Sequence, residues 1–493
     1  MSNEKITTSD KILRKGSPVI EKILLTNWNL NESYDLSAVF TQLNIYSSID
    51  GVIASGDITI SEQGNLISVC PLEGREFIEI KFSSTNNNDY EPYHRLFFVY
   101  AVDDISESKD TRSYIIRFTD VLGVMNPDIR LSIKYEDKLE KIIKKIEEMI
   151  ENPEMGFEEY KQILNVNNKI PTGNLLFPFT TKDDLSIETE YPMKFVVPQW
   201  HPIKFITYLT DRALSKDSVS LQEDKFTDCV FFQNRLGEFV LTNYKKMFTT
   251  PLSTQKTKNI VFKREIANTV SQSTPIEATT GAMETKYAVQ KFDLIKIFNT
   301  QVQKNLGMFG FTDYITDFVN AKCEPKDVKA EEITSCLIRY GLSLGEPYPY
   351  ETIKKTENGV FYYDTCGINM SVKDMEYERF TLPYLKGKVL RTYMEYAKIV
   401  IEMNGVSDID IGKYVYIDLG KSDDNSVTQF VNGTKWVVSK YAHRFLADGT
   451  FTTVVECFTP YINREKDANH TQAERLVQSG NEDAISAQRS MMF

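Results

Sequence analysis

A histidine and two carboxylates that could act as a general acid–base group lie close together near the C-terminus. The stretch TKWVVSKYAHRFLADGTFTTVVECFTP (Thr434–Pro460) places His443 a few residues from Asp448 and Glu456. Such groups assist proton transfer when they face one cleft. However, Asp448 precedes Gly449, and Asp-Gly between two alternating apolar runs is a hairpin signal. We therefore interpret the stretch as a hairpin, and we expect His443 to have another chain as its neighbour rather than a substrate.

The remaining histidines and acidic pairs do not form a recognisable catalytic or metal-binding pattern. The other histidines are His94, His201 and His470, which have no second ligand at metal spacing. Paired acids that a glycosidase could use occur at Asp103/Asp104, Asp183/Asp184, Asp408/Asp410 and Asp423/Asp424. These pairs stand beside Ser, Asn and Gly, so we expect them to bond to backbone amides in turns. We predict no catalytic, cofactor-binding or metal-binding residue, no cofactor and no enzyme activity.

The cysteines indicate a reducing environment. All six lie far apart and form no CxxC pair: Cys70, Cys229, Cys323, Cys336, Cys366 and Cys457. A disulfide framework is typical of much shorter secreted chains. We expect buried free thiols.

Composition and charge exclude several classes of protein. The chain has 493 residues, a net charge of −12 and 41% hydrophobic residues, enough for real cores. An acidic balance argues against binding to nucleic-acid backbones. The N-terminus MSNEKITTSDKILRKG has no apolar core, so we expect no signal peptide. No run of about 18 apolar residues occurs, so we expect no membrane span.

Two long stretches have the alternating, β-branched and aromatic pattern of antiparallel strands. The first runs from Pro18 to Asp120 and includes RLFFVYAV (Arg95–Val102) and RSYIIRFT (Arg112–Thr119). The second runs less regularly over residues 256–460. This pattern predicts barrels or sandwiches.

Between these stretches the pattern predicts a mixed α and β unit. In YEDKLEKIIKKIEEMIENP the apolar residues recur at helical spacing: Leu139, Ile142, Ile143, Ile146, Met149 and Ile150. A second helix is predicted to begin at Pro202, since proline suits the first helical position. The segment CVFFQNRLGEFVLTN (Cys229–Asn243) predicts a hairpin that turns at Leu236 and Gly237.

The two strand-rich stretches resemble one another in order. EFIEIKF…RLFFVYAVDDISESKDTRSYIIRFTD and KYVYIDL…TKWVVSKYAHRFLADGTFTTVVECFTP each contain a strand, a loop and a hairpin that closes on Phe-Thr. We infer two copies of one small β-barrel, the second interrupted by an insertion; chance similarity between hairpins is the alternative. Three such chains around an axis would present six similar barrels.

The predicted fold is mainly β with α+β parts: two similar antiparallel, tube-like β-barrel domains, an α+β middle domain and an insertion. The predicted boundaries are an N-terminal tail 1–17, a first barrel 18–125, a middle domain 126–253, a second barrel 254–325 and 385–462, an insertion 326–384 and a C-terminal tail 463–493.

Several segments in this order resemble the baseplate central hub proteins of contractile-tailed bacteriophages. YDLSAVFTQLNIYSSIDGVIASGDITISEQGNLISVCPLEGREFIEIKF is similar to the opening barrel of those hubs. FVVPQWHPIKFITYLTDRAL followed by CVFFQNRLGEFVLTN resembles their middle domain, and KIVIEMNGVSDIDIGKYVYIDL their closing barrel. The resemblance spans residues 18–460 and is one of pattern and order.

The resemblance implies a structural virion protein and supplies no catalytic residue. It implies a homotrimer that joins the central tail spike to the sixfold tail tube or tube-initiator proteins, among neighbouring baseplate proteins. Such a hub leaves a channel through which DNA passes during ejection without specific binding, and it is assembled into the tail baseplate in the host cytoplasm. The alternatives are the hub part of a type VI secretion or bacteriocin-type injector, and a polysaccharide-acting enzyme on a β scaffold.

Overall fold

The structure, a computed structural model, describes fourteen segments of the chain. They are residues 18–29, 32–63, 72–84, 92–108, 111–166, 175–219, 225–253, 260–264, 287–296, 310–317, 322–329, 360–365, 382–420 and 431–460. Both predicted tails and most of the predicted insertion lie outside them.

The N-terminal strands form one antiparallel sheet, which we call barrel 1. Its strands are β1 (Pro18–Thr26), β2 (Ser33–Asp35), β3 (Phe40–Ser48), β4 (Ser55–Glu62), β5 (Phe77–Ser84), β6 (Tyr93–Glu107) and β7 (Arg112–Thr119). The strand order is β3-β4-β7-β6-β5-β1-β2. Among the described strands no ladder joins β1 to β3. Beside that gap the Leu36 amide donates to the Ile23 carbonyl at 2.8 Å.

The C-terminal strands close into a six-stranded ring, which we call barrel 2. Its strands are β13 (Val261–Arg264), β14 (Ala288–Lys296), β18 (Ala397–Asn404), β19 (Tyr414–Asp418), β20 (Lys435–Leu446) and β21 (Phe451–Thr459). They pair in the order β19-β13-β14-β18-β21-β20, and β20 pairs again with β19. A closed ring leaves no strand without a neighbour.

The two barrels have the same strand order, which confirms the fold predicted from the repeated pattern. Taken by position in the chain, β3, β4, β5, β6 and β7 correspond to β14, β18, β19, β20 and β21. The sixth position differs in direction, because β1 is antiparallel to β5 whereas β13 is parallel to both β19 and β14.

A mixed α and β unit lies between the barrels in the chain. Its helices are α1 (Val121–Met125), α2 (Leu139–Ile150), α3 (Glu158–Val166), α4 (Pro202–Thr210), α5 (Lys216–Val219) and α6 (Tyr244–Thr249), with a 3₁₀ turn at Pro153–Met155. Its strands are β8 (Lys134–Asp137), β9 (Phe179–Thr180), β10 (Met193–Val196), β11 (Cys229–Gln233) and β12 (Phe239–Asn243). The predicted helices and the β11–β12 hairpin are confirmed. The apolar face of α2 is buried as its spacing predicted, with Met149 half-buried.

A separate three-stranded sheet follows β14. It comprises β15 (Gly310–Asp317), β16 (Lys322–Lys329) and β17 (Val360–Thr365), in the order β16-β15-β17. The stretch 254–325 was assigned to barrel 2, but β15 within it pairs with β16 and β17 rather than with barrel strands. The helix α7 (Leu382–Met394) then packs Val389, Leu390 and Met394 into the core of barrel 2.

Candidate assembly interface

The two barrels are joined because β20 belongs to both of them. Residues 435–437 of β20 pair with β19 of its own barrel, and residues 440–446 pair with β3 of barrel 1. The change of partner occurs at a β-bulge at Ser439, and bulges bend a strand and increase its twist. The Ser439 hydroxyl donates to the Glu456 carbonyl at 3.0 Å, which holds the bulge in place. The result is one continuous sheet of thirteen strands.

Aromatic side chains from the β20–β21 hairpin complete the core of barrel 1. The rings of Phe445 and Phe451 stack with centroids 4.2 Å apart. Both meet the Phe82 ring of β5 edge-on, at 4.7 and 5.6 Å. All three are buried, and aromatic pairs in such geometries add stability beyond their buried area. The hairpin tip therefore belongs to the hydrophobic core of barrel 1.

His443 lies inside this aromatic cluster and not in a cleft. Its Nδ1 lies 3.1 Å from the Thr453 hydroxyl, and the Phe82 and Tyr93 rings of barrel 1 surround it. Burial lowers the pKa of His443 to about 3, so the ring is neutral at ordinary pH. The expectation that another chain adjoins it is wrong, since its neighbours come from both barrels of the same chain.

The two carboxylates near His443 in sequence have structural roles. The Asp448 carboxylate accepts from the Thr450 amide at 2.8 Å in the predicted Asp-Gly turn, where Gly449 has φ +83°. Glu456 lies opposite Lys440 on the neighbouring strand, with 3.4 Å between the charged groups. The hairpin is confirmed, and the structure brings neither acid together with His443.

The remaining described histidines make structural contacts. His94 Nε2 lies 2.9 Å from Glu79, which also accepts from Lys22 at 2.5 Å. Burial alone would raise the pKa of Glu79, but these two hydrogen bonds outweigh it and lower that pKa. His201 stands at the N-cap of α4, before Pro202 at the first helical position as predicted. Its Nδ1 contacts the Ile129 carbonyl at 3.1 Å. His470 lies outside the described residues.

Two of the acidic pairs hold loops of the middle unit and barrel 2. Asp183 accepts from the Leu185 amide at 2.9 Å. Asp408 accepts from the Tyr287 hydroxyl at 2.6 Å, and Asp410 from the Arg235 amide at 3.0 Å.

The pair Asp103/Asp104 was predicted in a turn, which is wrong. Both residues lie within β6, where the register shifts between Asp103 and Ser106. Asp104 has φ +52°, as a residue in a bulge can. Asp423/Asp424 lies outside the described residues.

A buried charged group that sequence reasoning missed ties barrel 1 to the middle unit. Arg95 on β6 donates to Asp120 at 2.7 Å and to Gln233 on β11 at 3.1 Å. Gln233 in turn accepts from the Ala54 amide at 3.1 Å. Arg95 is 2% exposed. The one sequence signal was an arginine at the start of the strongly apolar run RLFFVYAV.

The described residues contain no cluster of three or more metal-ligating side chains. Cys229 and Cys457 are buried free thiols, as expected, and burial raises the pKa of each. The burial of the other four cysteines lies outside the described residues. None of the described helices is long and apolar enough to cross a membrane.

The architecture is similar to that of a solved phage tail protein. No family model and no curated protein matches the chain. The crystal structure of the 43 kDa tail protein of prophage MuSo2 from Shewanella oneidensis is 11% identical, with a TM-score of 0.50 over 89% of this chain and 99% of that one. The chain has a phage tail protein fold. The resemblance inferred from the sequence is thus confirmed at the level of the fold.

Two further structures are similar to this tail-protein fold. A tail protein from Neisseria meningitidis is 8% identical, with a TM-score of 0.47 over 89% of this chain and 96% of that one. An E. coli component of the type VI secretion system, described as similar to the bacteriophage T4 tail proteins gp27 and gp5, is 11% identical. Its TM-score is 0.38 over 87% of this chain and 76% of that one.

Proposed function

We propose that the protein is the structural baseplate hub of a contractile phage tail. In this role it is a trimeric adaptor that joins the central spike to the sixfold tail tube and leaves a channel for DNA. The observation that carries the proposal is the pair of barrels with one strand order, fused into a continuous sheet by β20. Three copies around an axis present six similar barrels, so a threefold spike and a sixfold tube can share one adaptor.

The chemistry of the chain supports a structural role without catalysis. The described acids and histidines singled out by the sequence are engaged in turns, strands and the barrel junction. A net charge of −12 favours passage of DNA over binding to it, because like charges repel. We accordingly propose the spike, the tube or tube-initiator proteins and neighbouring baseplate proteins as partners, and the virion tail as the location. Assembly takes place in the host cytoplasm.

The predicted division of the chain remains part of the proposal, with one adjustment. As predicted, the first barrel comprises residues 18–125 and the middle domain residues 126–253. The short helix α1 at this boundary packs against the core of the middle domain. We propose that the insertion begins at β15 instead of at residue 326, because β15 to β17 form their own sheet. The second barrel then resumes after the insertion, within residues 385–462.

The experiment is to measure the mass of the purified chain by multi-angle light scattering and to locate it in the tail by electron microscopy. We expect a trimer, alone or after addition of the spike protein, positioned as a ring between spike and tube. A chain that is monomeric both in solution and in the assembled particle would overturn the proposal.

A further inference from the structure

One shared bulge in each pair of equivalent strands aligns the two barrels. A second bulge in β6, between Asp103 and Ser106, and a second one in β14, at Ile295, have no counterpart in β20 or β3. The bulge at Ser439 of β20 has its counterpart at Tyr100 of β6, opposite the same part of the next strand. The bulge at Gln290 of β14 has its counterpart at Thr41 of β3. Ser106 lies opposite Ser113, and Arg444 lies opposite Thr452. Ser113 and Thr452 are equivalent positions of β7 and β21, so Ser106 corresponds to Arg444. In the same way Asp293 corresponds to Asn44, and Leu294 to Ile45.

Two equivalent pairs of strand edges can be compared among the described residues, and only one of the two pairs is joined within the chain. The edge of β20 pairs with the edge of β3. Their counterparts are residues 99–107 of β6 and residues 290–296 of β14. Each of these pairs on one side, β6 with β7 and β14 with β18, and no other described strand covers the second side.

Exposed apolar side chains mark these two open edges. Ile105 on β6 is 62% exposed and Ile295 on β14 is 60% exposed. Leu294 is half-buried, whereas its counterpart Ile45, which β20 covers, is fully buried. Open edges with apolar residues are templates for pairing with another strand. The greater exposure of Leu294 coincides with the absence of a second neighbour among the described strands.

We propose that the open edge of β6 in one copy pairs, antiparallel, with the open edge of β14 in a second copy. The register follows from the junction inside the chain, where Arg444 lies opposite Asn44. Its equivalent places Ser106 opposite Asp293 and Ile105 opposite Leu294 of the second copy. The pairing of β6 with β14 between chains then repeats the pairing of β20 with β3 within one chain.

The charges on the two edges favour this partner. Asp103, Asp104 and Glu107 lie on the β6 edge, and Lys291 lies on the β14 edge in an ion pair with Asp293 at 3.0 Å. Opposite charges on paired strands stabilise the pair and select the partner. Since the β6 edge is acidic, two copies of it repel each other and do not pair. The contact is therefore heterologous, and it forms a closed ring when its rotation closes.

The number of copies rests on the proposed function, whereas the pairing rests on the strand equivalence alone. The test is oxidative cross-linking of the full-length chain carrying Ile105→Cys and Leu294→Cys together. We expect disulfide-linked species that stop at three chains. Either single variant should remain uncross-linked, because position 105 meets position 294 and not itself. The matched control combines Val196→Cys, 67% exposed in the middle unit, with Leu294→Cys and should also remain uncross-linked.

The outcomes separate the interface from the copy number. A trimer in light scattering without the 105–294 disulfide would overturn the pairing and leave the hub standing. Cross-linked species that continue past three chains would support the pairing and overturn the trimer. A monomer without cross-links in the presence of the spike would overturn both. As a second readout, Ile105→Lys should abolish the oligomer while the far-UV circular dichroism spectrum of the folded chain stays unchanged. Val196→Lys should leave both the oligomer and the spectrum unchanged.

Discussion

The β6–β7 hairpin and the β20–β21 hairpin occupy the same position in their barrels but end in different side chains. The tip of the second carries Phe445 opposite Phe451. The equivalent positions in the first carry Glu107 opposite Arg112, which form an ion pair at 3.0 Å. The tip that is buried within the chain is aromatic, and the tip beside the proposed contact with a second copy is charged. Strand order and one bulge per strand are thus shared, while the side chains differ between the edge that is buried within the chain and the edge that stays exposed.

The largest expected effect comes from truncating the aromatic tip. Phe451→Ala should lower the free energy of unfolding by about 3–5 kcal/mol, because it leaves a cavity beside Phe82 and Phe445 in the core of barrel 1. Urea unfolding of the full chain measures this loss. The matched control is Arg112→Ala at the equivalent position, which should cost far less. Equal losses in the free energy of unfolding for the two variants would show that the two hairpin tips are packed to the same extent.

The second effect concerns the buried ion pair that anchors barrel 1 to the middle unit. Arg95→Met should destabilise the protein by roughly 3 kcal/mol, because Asp120 would remain buried without its cation. Differential scanning calorimetry should show this as a lower melting temperature. Arg112→Met, which breaks an exposed ion pair of barrel 1, is the control and should have little effect. A melting temperature unchanged by Arg95→Met would contradict the anchoring role.

The third effect concerns His443 at the barrel junction, which should make the free energy of unfolding depend on pH. Its folded pKa of about 3 lies below its unfolded value, so the unfolded state binds the proton and the folded state does not. Stability is therefore retained above about pH 6.5 and lost as the pH falls toward 3, by up to about 1.4 kcal/mol per pH unit. His443→Gln should flatten this part of the unfolding profile. A slope that persists in the variant would assign it to other groups.

The smallest effect on stability is expected from giving the first hairpin the tip of the second. The double change Glu107→Phe and Arg112→Phe should alter the free energy of unfolding by only about 0.5 kcal/mol, because the tip is largely solvent-exposed. Its solubility should fall, since the edge gains apolar area and loses its charges. Sedimentation velocity at increasing concentration measures the self-association. A double variant that stays soluble and does not self-associate would indicate that the charges at the tip do not prevent association through this edge.

Much of the fold could be predicted because its signals are local. The apolar stripe of α2, the Pro202 helix start and the Asp448–Gly449 turn each follow from spacing or turn chemistry within a few residues. The repeated hairpin pattern also predicted the two barrels. Local signals predicted Asp104 in a turn, which is wrong. A residue in a bulge inside a long strand can have the same backbone angles as a residue in a turn. Local signals also missed Arg95, whose partners Asp120 and Gln233 lie 25 and 138 positions away.

The sequence by itself therefore determined the strands, the main helix, the hairpin turns and the duplicated order, since these depend on side-chain alternation and turn preference. Only the tertiary structure decided that β20 divides its edge between two barrels, that β13 closes barrel 2 in parallel, and that His443 is enclosed by aromatic rings of barrel 1. The physical reason is that a strand's backbone donors and acceptors are the same along its whole length. Which distant edge satisfies them depends on the packing of the whole chain. Among the described strands that packing leaves one side of β6 and one side of β14 without a neighbour over part of their length.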